Sequence, residues 1–404
     1  MSNTLVTCTI VAKEALAILK NMLTFSAAVN RDFESEFTSN MSRGYAPGQT
    51  INIKRPPRYT YRAGRVAVPQ ATVETTVPLT LSQGGCDINF TSLERTLQLT
   101  QLSKKIQAAI APVCNEIDRQ GLELAKNTST AGIFGTPGTP PNTQLLALQA
   151  ITGLNQALDE AAAPRDRQRS LIMSPRLNGA LIIGYAGLFN DQERVSKQYR
   201  QGVMQDNLGI SPNMDQNVAT HVNGSQNVAG TNVNGAGQTG SNITVVGLGG
   251  TITKGTKITF PNVFAVNPQS RVSTNVLQVF TITADLAAAA TVLPISPAIV
   301  TSGAFQNVTA SPTTGQPFAI FGTASAGYTA SPAFHKDAFT LAMVPMWAPP
   351  SGRGVIDVSQ MSDDGFTVKV TEFYDGINDN SIMRIDVLFG WAATYPELSA
   401  LYAL

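Results

Sequence analysis

The first third of the chain carries two spacings of apolar side chains, one typical of helices and one typical of strands. Residues 9–23 include Ile10, Leu16 and Leu19 without Gly or Pro, and they predict a first helix. From residue 48 to 82, "INIKRP" alternates apolar and polar positions, and "VETTVPLTLS" is rich in β-branched residues. This pattern predicts a long two-stranded excursion. Because an isolated hairpin is at best marginally stable in water, we expect it to rest on another surface.

A long helix is predicted next, over residues 93–127. Its apolar positions recur at steps of three, four or seven: Leu99, Leu102, Ile106, Ala109, Val113, Ile117 and Leu124. An internal proline costs about 3 kcal/mol, so we expect Pro112 to kink or split this helix. A second helix is predicted around residues 143–163. A short buried strand, "RSLIMSP", and a helix beginning near Pro175 follow it.

The composition changes near residue 222. Residues 222–242 are mostly Asn, Gly, Ser and Thr, which is typical of a turn-rich connection. Four strand candidates follow, "ITVVGL", "TKITF", "NVLQVFTIT" and "ATVLPIS", and they predict a small all-β module, a barrel or a sandwich. The side chains expected in its core are Val245, Ile258, Phe260, Val263, Phe264, Val276, Val279, Phe280, Ile282, Val292 and Ile295.

The last part of the chain is predicted to return to long strands. "AFHKDAFTLAMVPM" predicts one strand, and "GFTVKVTEFYDGINDNSIMRIDVLFG" predicts a hairpin with "DGIND" at its turn. Together with the helices nearer the N-terminus, these strands predict an α+β body that carries an all-β insert.

Charge is sparse except in one segment. Charged residues make up 14% of the chain and the net charge is only +1, from 28 basic and 27 acidic residues. The exception is a basic segment, residues 54–65, in which aromatic side chains lie between basic ones: Lys54, Arg55, Arg58, Tyr59, Tyr61, Arg62 and Arg65. This mixture is compatible with nucleic-acid binding. A dedicated duplex binder usually has a clear basic excess, however, because its affinity comes largely from phosphate neutralisation.

Candidate catalytic, cofactor and metal motifs are weak. His221 and His335 have no Cys, Asp or Glu at metal-ligand spacing, and we interpret both as structural or solvated. Gly235, Gly237 and Gly240 match GxGxxG, but a dinucleotide site needs a strand before this motif and a helix after it. We therefore predict no catalytic residue, no cofactor and no metal, and a protein that is not an enzyme.

A second possible metal site is the acidic pair of loops near the C-terminus. Asp363, Asp364, Asp375 and Asp379 could hold calcium, but their spacing is not that of a calcium loop. Hairpin turns favour Asp and Asn for backbone reasons, so we interpret them as turn residues.

The cysteines and the N-terminus indicate an intracellular protein. Cys8, Cys86 and Cys114 are odd in number and far apart, so we expect free thiols in a reducing compartment. The first residues lack the features of a signal peptide, and no apolar run is long enough to predict a membrane span.

Six segments, taken in order, resemble the coat-protein family of tailed bacteriophages typified by short-tailed Salmonella phages. They are "PGQTINIKRPPRYTYRAG", "RSLIMSPRLNGAL", "VNGAGQTG", "FAVNPQSRVSTNVLQVFTIT", "AFHKDAFTLA" and "RIDVLFGWAATYPELSALY". The resemblance implies the Hong Kong 97-type capsid fold, with a peripheral domain that contains a long spine helix, an axial domain and a β-barrel-like insertion domain. The implied division is an N-terminal arm at 1–43, an extended E-loop hairpin at 44–85, the peripheral and axial core at 86–221, the insertion domain at 222–330 and the returning core at 331–404.

The resemblance also implies a function and its partners. Such proteins assemble with copies of themselves, as hexamers and pentamers, into an icosahedral shell around double-stranded DNA. They do so first as a procapsid guided by a scaffolding protein, with a portal, in the cytoplasm of the host bacterium. On this interpretation the protein is located in the virion and contacts no membrane.

Two interpretations of the basic segment remain open. In the first, it lies over an adjacent subunit, where its arginines pair with carboxylates. In the second, it contacts the phosphates of packaged DNA from the inner face of the shell. A different class of protein, a nucleic-acid-binding protein that uses residues 54–65, is the alternative to a coat protein.

Overall fold

The computed structural model describes residues 8–33, 50–91, 102–185, 208–226, 232–350, 352, 355–363, 365–376, 378 and 380–404. The helices of these residues are α1 (Cys8–Met22), α2 (Phe25–Ala28), α3 (Leu102–Thr128), α4 (Gln144–Glu160) and α5 (Pro175–Tyr185). The strands are β1 (Thr50–Arg55), β2 (Thr75–Thr80), β3 (Ser82–Thr91), β4 (Gly132–Phe134), β5 (Arg169–Met173), β6 (Ser211–Met214), β7 (Thr220–Val222), β8 (Gly240–Thr244), β9 (Lys257–Thr259), β10 (Phe264–Val266), β11 (Ser273–Leu277), β12 (Phe280–Ile282), β13 (Val292–Ile299), β14 (Ala319–Ile320), β15 (Gly327–His335), β16 (Thr340–Met343), β17 (Val355–Asp363), β18 (Phe366–Asp375), β19 (Asn380–Ala392) and β20 (Ser399–Ala403). The predicted α+β class is confirmed.

The chain forms two compact units. The first comprises Met1–Ile53, Val77–Gly121 and Thr340–Ala392, and the second comprises Lys54–Thr76, Leu122–Phe339 and Ala393–Leu404. The five-part division implied by the resemblance stays a prediction.

The first unit is built on an antiparallel sheet in the order β16-β19-β18-β17, with β3 also paired to β19. Along β19, Met383, Ile385, Val387 and Phe389 are buried at every second position, as expected for a strand with one face on a core. Helix α1 packs on β17 and β18 of this sheet. Strands β18 and β19 form the predicted hairpin, which is confirmed.

The two-stranded excursion is present as β1 and β2, which pair with each other. In β1, Ile51 and Ile53 are buried and their neighbours are not, which confirms the alternation seen in the sequence. Together with Leu79 and Leu81 they form an apolar cluster with Ala342, Val344 and Ala392. The strands therefore rest on another surface, as a marginally stable hairpin requires.

Helix α3 continues through Pro112, so the proline does not split the helix, and the alternative that it kinks the helix stays a prediction. Pro112 and Ala108, whose carbonyl loses its intrahelical donor, are both exposed. Water can therefore satisfy that carbonyl, while the other face buries Ala109, Val113 and Ile117. Residues 93–101 of the predicted helix lie outside the described residues.

Helix α3 also fixes the segment that follows α1. The buried carboxylate of Asp118 accepts hydrogen bonds from the backbone N–H groups of Thr24 at 2.8 Å and of Ser26 at 3.0 Å, at the start of α2. A carboxylate at a helix N-terminus satisfies donors that have no partner inside the helix. The ring N–H of Trp391, on β19, donates to the Ile117 carbonyl at 3.1 Å. One turn of α3 thus holds both α2 and β19.

The second unit contains a mixed sheet in the order β4-β20-β15-β5-β6, with β7 also paired to β15. Helices α4 and α5 supply most of its core, in which Ile151, Leu154, Leu177 and Leu181 are fully buried. Both helices lie where the sequence predicts them, although α4 ends at Glu160. The strand predicted at 333–346 is instead two strands. The chain turns between β15 and β16 because the His335 side chain accepts a hydrogen bond from the Asp337 N–H in a 3₁₀ turn, Lys336–Ala338.

Residues 232–320 carry their own core in the second unit. A five-stranded sheet in the order β14-β9-β12-β13-β8 buries Phe260, Phe280, Ile282 and Ile295, and β10 pairs with β11 in a second small sheet. Val276 and Val292 are 41% and 43% exposed, so their assignment to the core is wrong. The predicted strand "NVLQVFTIT" is two strands, β11 and β12, in different sheets, and this places Val276 off the core.

The edges of the five-stranded sheet are bridged by a short segment. The Val233 N–H donates to the Gln316 carbonyl at 3.0 Å, and the Val246 N–H donates to the Asn232 carbonyl at 2.8 Å. Residues 232–233 therefore lie between two segments: the residues just after β8, at one edge of the sheet, and the residues just before β14, at the other edge. A closed barrel, and the boundaries 222–330, stay predictions.

Candidate functional site

The basic segment begins at the end of β1 and continues into an extended loop. Lys54 and Arg55 end the strand, and Pro56 and Pro57 stop it because proline cannot donate to a strand ladder. Residues 56–74 contain neither helix nor strand, and β2 begins at Thr75. We call residues 56–74 the connecting loop.

The connecting loop has internal hydrogen bonds between its two arms. The side-chain amide of Gln70 donates to the Thr60 carbonyl at 2.8 Å, and its oxygen accepts from the Thr60 N–H at 2.8 Å. The hydroxyls of Tyr59 and Thr72 are 3.0 Å apart. The Gln70 side chain thus makes the two hydrogen bonds that the backbone of a paired strand would otherwise make with Thr60. The loop is therefore held in shape although its two arms do not pair as strands.

Arg62 closes the tip of the loop. Its guanidinium donates to the Gly64 carbonyl at 2.6 Å and also to the Val66 carbonyl. Gly64 has a positive φ of 96°, a conformation that favours glycine. Arg62 is therefore bonded to its own loop, although it is exposed like Tyr61 and Arg65 beside it.

Two further basic residues have carboxylate partners in the same chain. Lys54 lies 2.9 Å from Glu74, and this hydrogen bond raises the pKa of Lys54. Arg58 lies 3.0 Å from Glu397, and both side chains are about one-third exposed. Each contact neutralises a charge that a phosphate or a second subunit could otherwise use.

The connecting loop is anchored to residues 271–305 of the second unit. The Arg271 guanidinium donates to the Tyr59 carbonyl at 2.9 Å and to the Ala304 carbonyl at 3.1 Å. The Arg58 guanidinium carbon is 6.0 Å from the centre of the Phe305 ring. Sequence reasoning missed Arg271 and Glu397, since residues more than 200 positions away give no local signal. Glu74 could have been found, because it faces Lys54 in a hairpin of this length.

Arg55 and Arg65 remain without a carboxylate partner among the described residues. Arg65 is exposed, whereas Arg55 is half-buried and its guanidinium carbon lies 5.4 Å from the centre of the Tyr395 ring. The pairing of the basic segment with a neighbouring subunit stays a prediction, and these two arginines are the ones that remain free for it.

The two histidines occupy structural positions. His335 is buried, with Nε2 3.2 Å from an Asp166 carboxylate oxygen. His221 is buried with Nε2 3.2 Å from the Thr256 hydroxyl, and burial, followed by the charges of Lys126 and Lys257, lowers its pKa to about 4. Both are held by the fold, which agrees with their structural interpretation.

Lys257 connects the five-stranded sheet to the end of α3. It is fully buried, and its ammonium donates to the Ser129 carbonyl and the Thr281 hydroxyl, each at 2.7 Å. Burial lowers its pKa well below the usual value. Ser129 directly follows α3, so this cation lies at the negative end of the helix dipole.

In the part of the chain that the structure describes, neither the glycine motif nor the acidic turns have the geometry of a ligand site. Gly235, Gly237 and Gly240 have positive φ values, and strand β8, not a helix, follows them. Asp363 pairs with Lys20 at 2.7 Å, and Asp375 accepts from Asn378 at 2.7 Å; Asp364 and Asp379 lie outside the described residues. Among the residues that the structure describes, no three His, Cys, Asp or Glu side chains are grouped as metal ligands.

Two other sequence expectations can be compared with the structure. All three cysteines are free, with Cys8 and Cys114 buried and Cys86 half-buried. In the described part of the chain, no helix has both the length and the hydropathy needed to cross a membrane.

Several solved structures resemble the chain at low identity. A structure from Mycobacterium phage Che8 is 13% identical with a TM-score of 0.49, covering 94% of this chain and 90% of that one. The capsid of the cyanophage P-SCSP1u is 9% identical with a TM-score of 0.43, covering 88% and 83%. A virus-like particle from Pyrococcus furiosus is 9% identical with a TM-score of 0.39, covering 97% of each chain. Because each of these TM-scores is below 0.5, no conclusion about this chain rests on these structures.

The family comparison is decisive. No curated protein matches the sequence significantly. A family model described as P22 coat protein, gene protein 5, matches residues 73–401, about four-fifths of the chain, and the match begins after the basic segment. The chain therefore belongs to the P22 coat protein family, and it is a structural capsid protein of a bacteriophage virion.

Proposed function

We propose that this coat protein assembles with copies of itself, as hexamers and pentamers, into a closed icosahedral shell that encloses double-stranded DNA by non-specific contact. It does so as a procapsid with a scaffolding protein and a portal, in the cytoplasm of the host, and it catalyses no reaction. The connecting loop, as the tip of the implied E-loop, crosses to an adjacent copy. Membership of the coat-protein family supports the first part of this proposal.

The exposed apolar surface of the connecting loop supports the second part. Tyr61 is 92% exposed, Val66 79% and Val68 63%, and they lie within eight positions of one another. Contiguous apolar groups that a fold leaves in water mark surfaces for protein contact. Since Gln70 and Arg62 already hold the loop in shape, little ordering entropy opposes its docking.

The test replaces loop side chains that have no role in the isolated subunit. Tyr61→Ser with Val66→Ser should leave the melting temperature of the subunit unchanged, because both side chains are exposed. It should raise the protein concentration needed for half-assembly by about tenfold or more, since about 1.4 kcal/mol per contact corresponds to a factor of ten. Light scattering and electron microscopy measure the assembly.

Leu145→Ser is the matched control, because Leu145 is 65% exposed but lies on α4. It should assemble at the concentration of the wild type. If the loop variant assembles as readily as the control, the connecting loop does not contact an adjacent copy.

A further inference from the structure

A cavity lies at the root of the connecting loop, within the second unit. It has a volume of about 410 Å³, and its apolar walls include Pro56, Pro57, Leu277, Pro297 and Phe305. Val276, which the sequence predicts as a core residue, lines the same cavity instead. Val276 therefore adds an exposed apolar side chain to the cavity wall.

Arg55 lies on the wall of this cavity with an incomplete set of hydrogen bonds. Its Nε is buried and has no acceptor among the described residues. The face of the Tyr395 ring lies 5.4 Å from the guanidinium carbon, where the ring's negative face attracts the cation. Arginine does not lose its proton in proteins, so Arg55 cannot avoid the cost of an unpaired buried donor by becoming neutral. A buried donor without an acceptor destabilises the state that contains it.

The other charged groups of the cavity already have partners. Arg58 pairs with Glu397 at 3.0 Å, and a Glu160 oxygen accepts from the Gln156 amide at 2.8 Å. Neither carboxylate forms an ion pair with Arg55 within the described chain. Arg55 is thus the one cation of the cavity wall that lacks an anion there.

We propose that the cavity receives a carboxylate side chain from a second copy of this chain, which pairs with the Arg55 guanidinium. The proposal rests on the self-assembly described under the proposed function and identifies one contact of that assembly. A carboxylate fits because it can accept two parallel N–H bonds from the two Nη atoms at the end of a guanidinium. The apolar walls remove the pair from water, which strengthens it.

A second copy suits this cavity better than packaged DNA does. Glu397 and Glu160 also line it, but Arg58 and Gln156 already bind them, so Arg55 is the charged group that selects the occupant. The cavity admits a turn of a few side chains but not a duplex. A protein segment with one acidic side chain among apolar neighbours matches both its charge and its lining.

The first experiment compares Arg55→Ala with Arg65→Ala, which removes an exposed arginine of the same basic segment. Arg55→Ala should raise the concentration for half-assembly by about tenfold or more and should not lower the melting temperature of the subunit. Arg65→Ala should change the half-assembly concentration by less than about threefold. Arg55→Ala shells that form as in the wild type would overturn the proposal. So would a fall in subunit melting temperature that accounts for the whole defect, or a defect confined to DNA-filled particles.

The second experiment finds the carboxylate. Arg55→Lys keeps a positive charge and provides an amine. A carbodiimide can couple this amine to a nearby carboxylate as an amide, and the carbodiimide itself takes up the water that is released and becomes a urea. Shells made from a mixture of ¹⁵N-labelled and unlabelled Arg55→Lys subunits should give cross-linked peptides that carry both labels. Cross-links that join only peptides of the same label, to Glu160, Glu397 or any other residue, would show an intrachain partner and overturn the proposal. Wild-type protein that forms no shell at all would instead contradict the proposed function.

Discussion

Replacing Gly121 with alanine would place a methyl group 2.6 Å from ring atoms of both Phe25 and Trp391. Gly121 lies inside α3, where alanine is better than glycine by about 1 kcal/mol on helix propensity alone. Neither ring can move away freely. Trp391 donates its ring N–H to the Ile117 carbonyl at 3.1 Å, and the Asp118 carboxylate holds the backbone of Thr24 and Ser26 on either side of Phe25.

We therefore expect Gly121→Ala to destabilise the first unit despite the better propensity. Overpacking of a fixed site costs about 1 to 3 kcal/mol, and a contact this short at two rings places the cost at the upper end. After the propensity gain, the expected net loss is about 2 kcal/mol. Urea unfolding followed by tryptophan fluorescence measures it, because Trp347 and Trp391 both belong to the first unit.

Gly179→Ala is the matched control. Gly179 is an exposed position inside α5, and an added Cβ there meets no atom within 4 Å. It should stabilise the protein by about 0.5 to 1 kcal/mol, measured by circular dichroism in the same urea titration. A Gly121→Ala protein that is as stable as the wild type, or more stable, would refute the reasoning, because propensity would then outweigh the contacts with Phe25 and Trp391.

Three further predictions concern acid, thiols and the all-β insert. His221 has its pKa lowered from 6.5 to about 4, so its contribution to stability is complete above about pH 6.5 and is lost as the pH falls toward 4; melting temperatures across this range should fall less in His221→Gln than in the wild type. Native protein treated with iodoacetamide should react at Cys86 before Cys8 or Cys114, since burial raises the pKa of the Cys114 thiol to about 12; mass spectrometry showing equal labelling of all three would contradict this. A fragment of residues 241–330 should be strand-rich and unfold cooperatively, and one that begins at 232 should melt higher because it keeps buried Val233; equal melting temperatures would count against the bridging segment at 232–233.

The sequence predicted correctly those elements in which the spacing of apolar residues within the element itself determines which side chains are buried. The alternation in β1, the hairpin of β18 and β19, and the position of α4 all follow from spacings within a few residues. Pro112 does not split α3, because the cost of a proline depends on its surroundings. Ala108, whose carbonyl loses its donor, is exposed, and packing of the opposite face of α3 keeps the helix continuous.

The site could be predicted only in part, since its chemistry depends on contacts between distant residues. The sequence shows five basic residues together, but not that Glu397 neutralises Arg58 or that Arg62 binds its own loop. Nor does it show that Val276 belongs to a cavity wall, because strand pattern alone does not reveal which sheet a strand joins. What distinguishes Arg55 from its neighbours is a buried Nε that has no acceptor in the described chain, which only coordinates reveal.

The proposed function makes this 42.8 kDa chain a subunit of a closed shell. Sedimentation velocity of the purified protein, expressed alone and with the scaffolding protein of its phage, tests this most directly when the fast fraction is imaged by electron microscopy. We expect megadalton particles that appear as closed icosahedral shells. A single species of the subunit mass at every concentration, with and without the scaffolding protein, would contradict it.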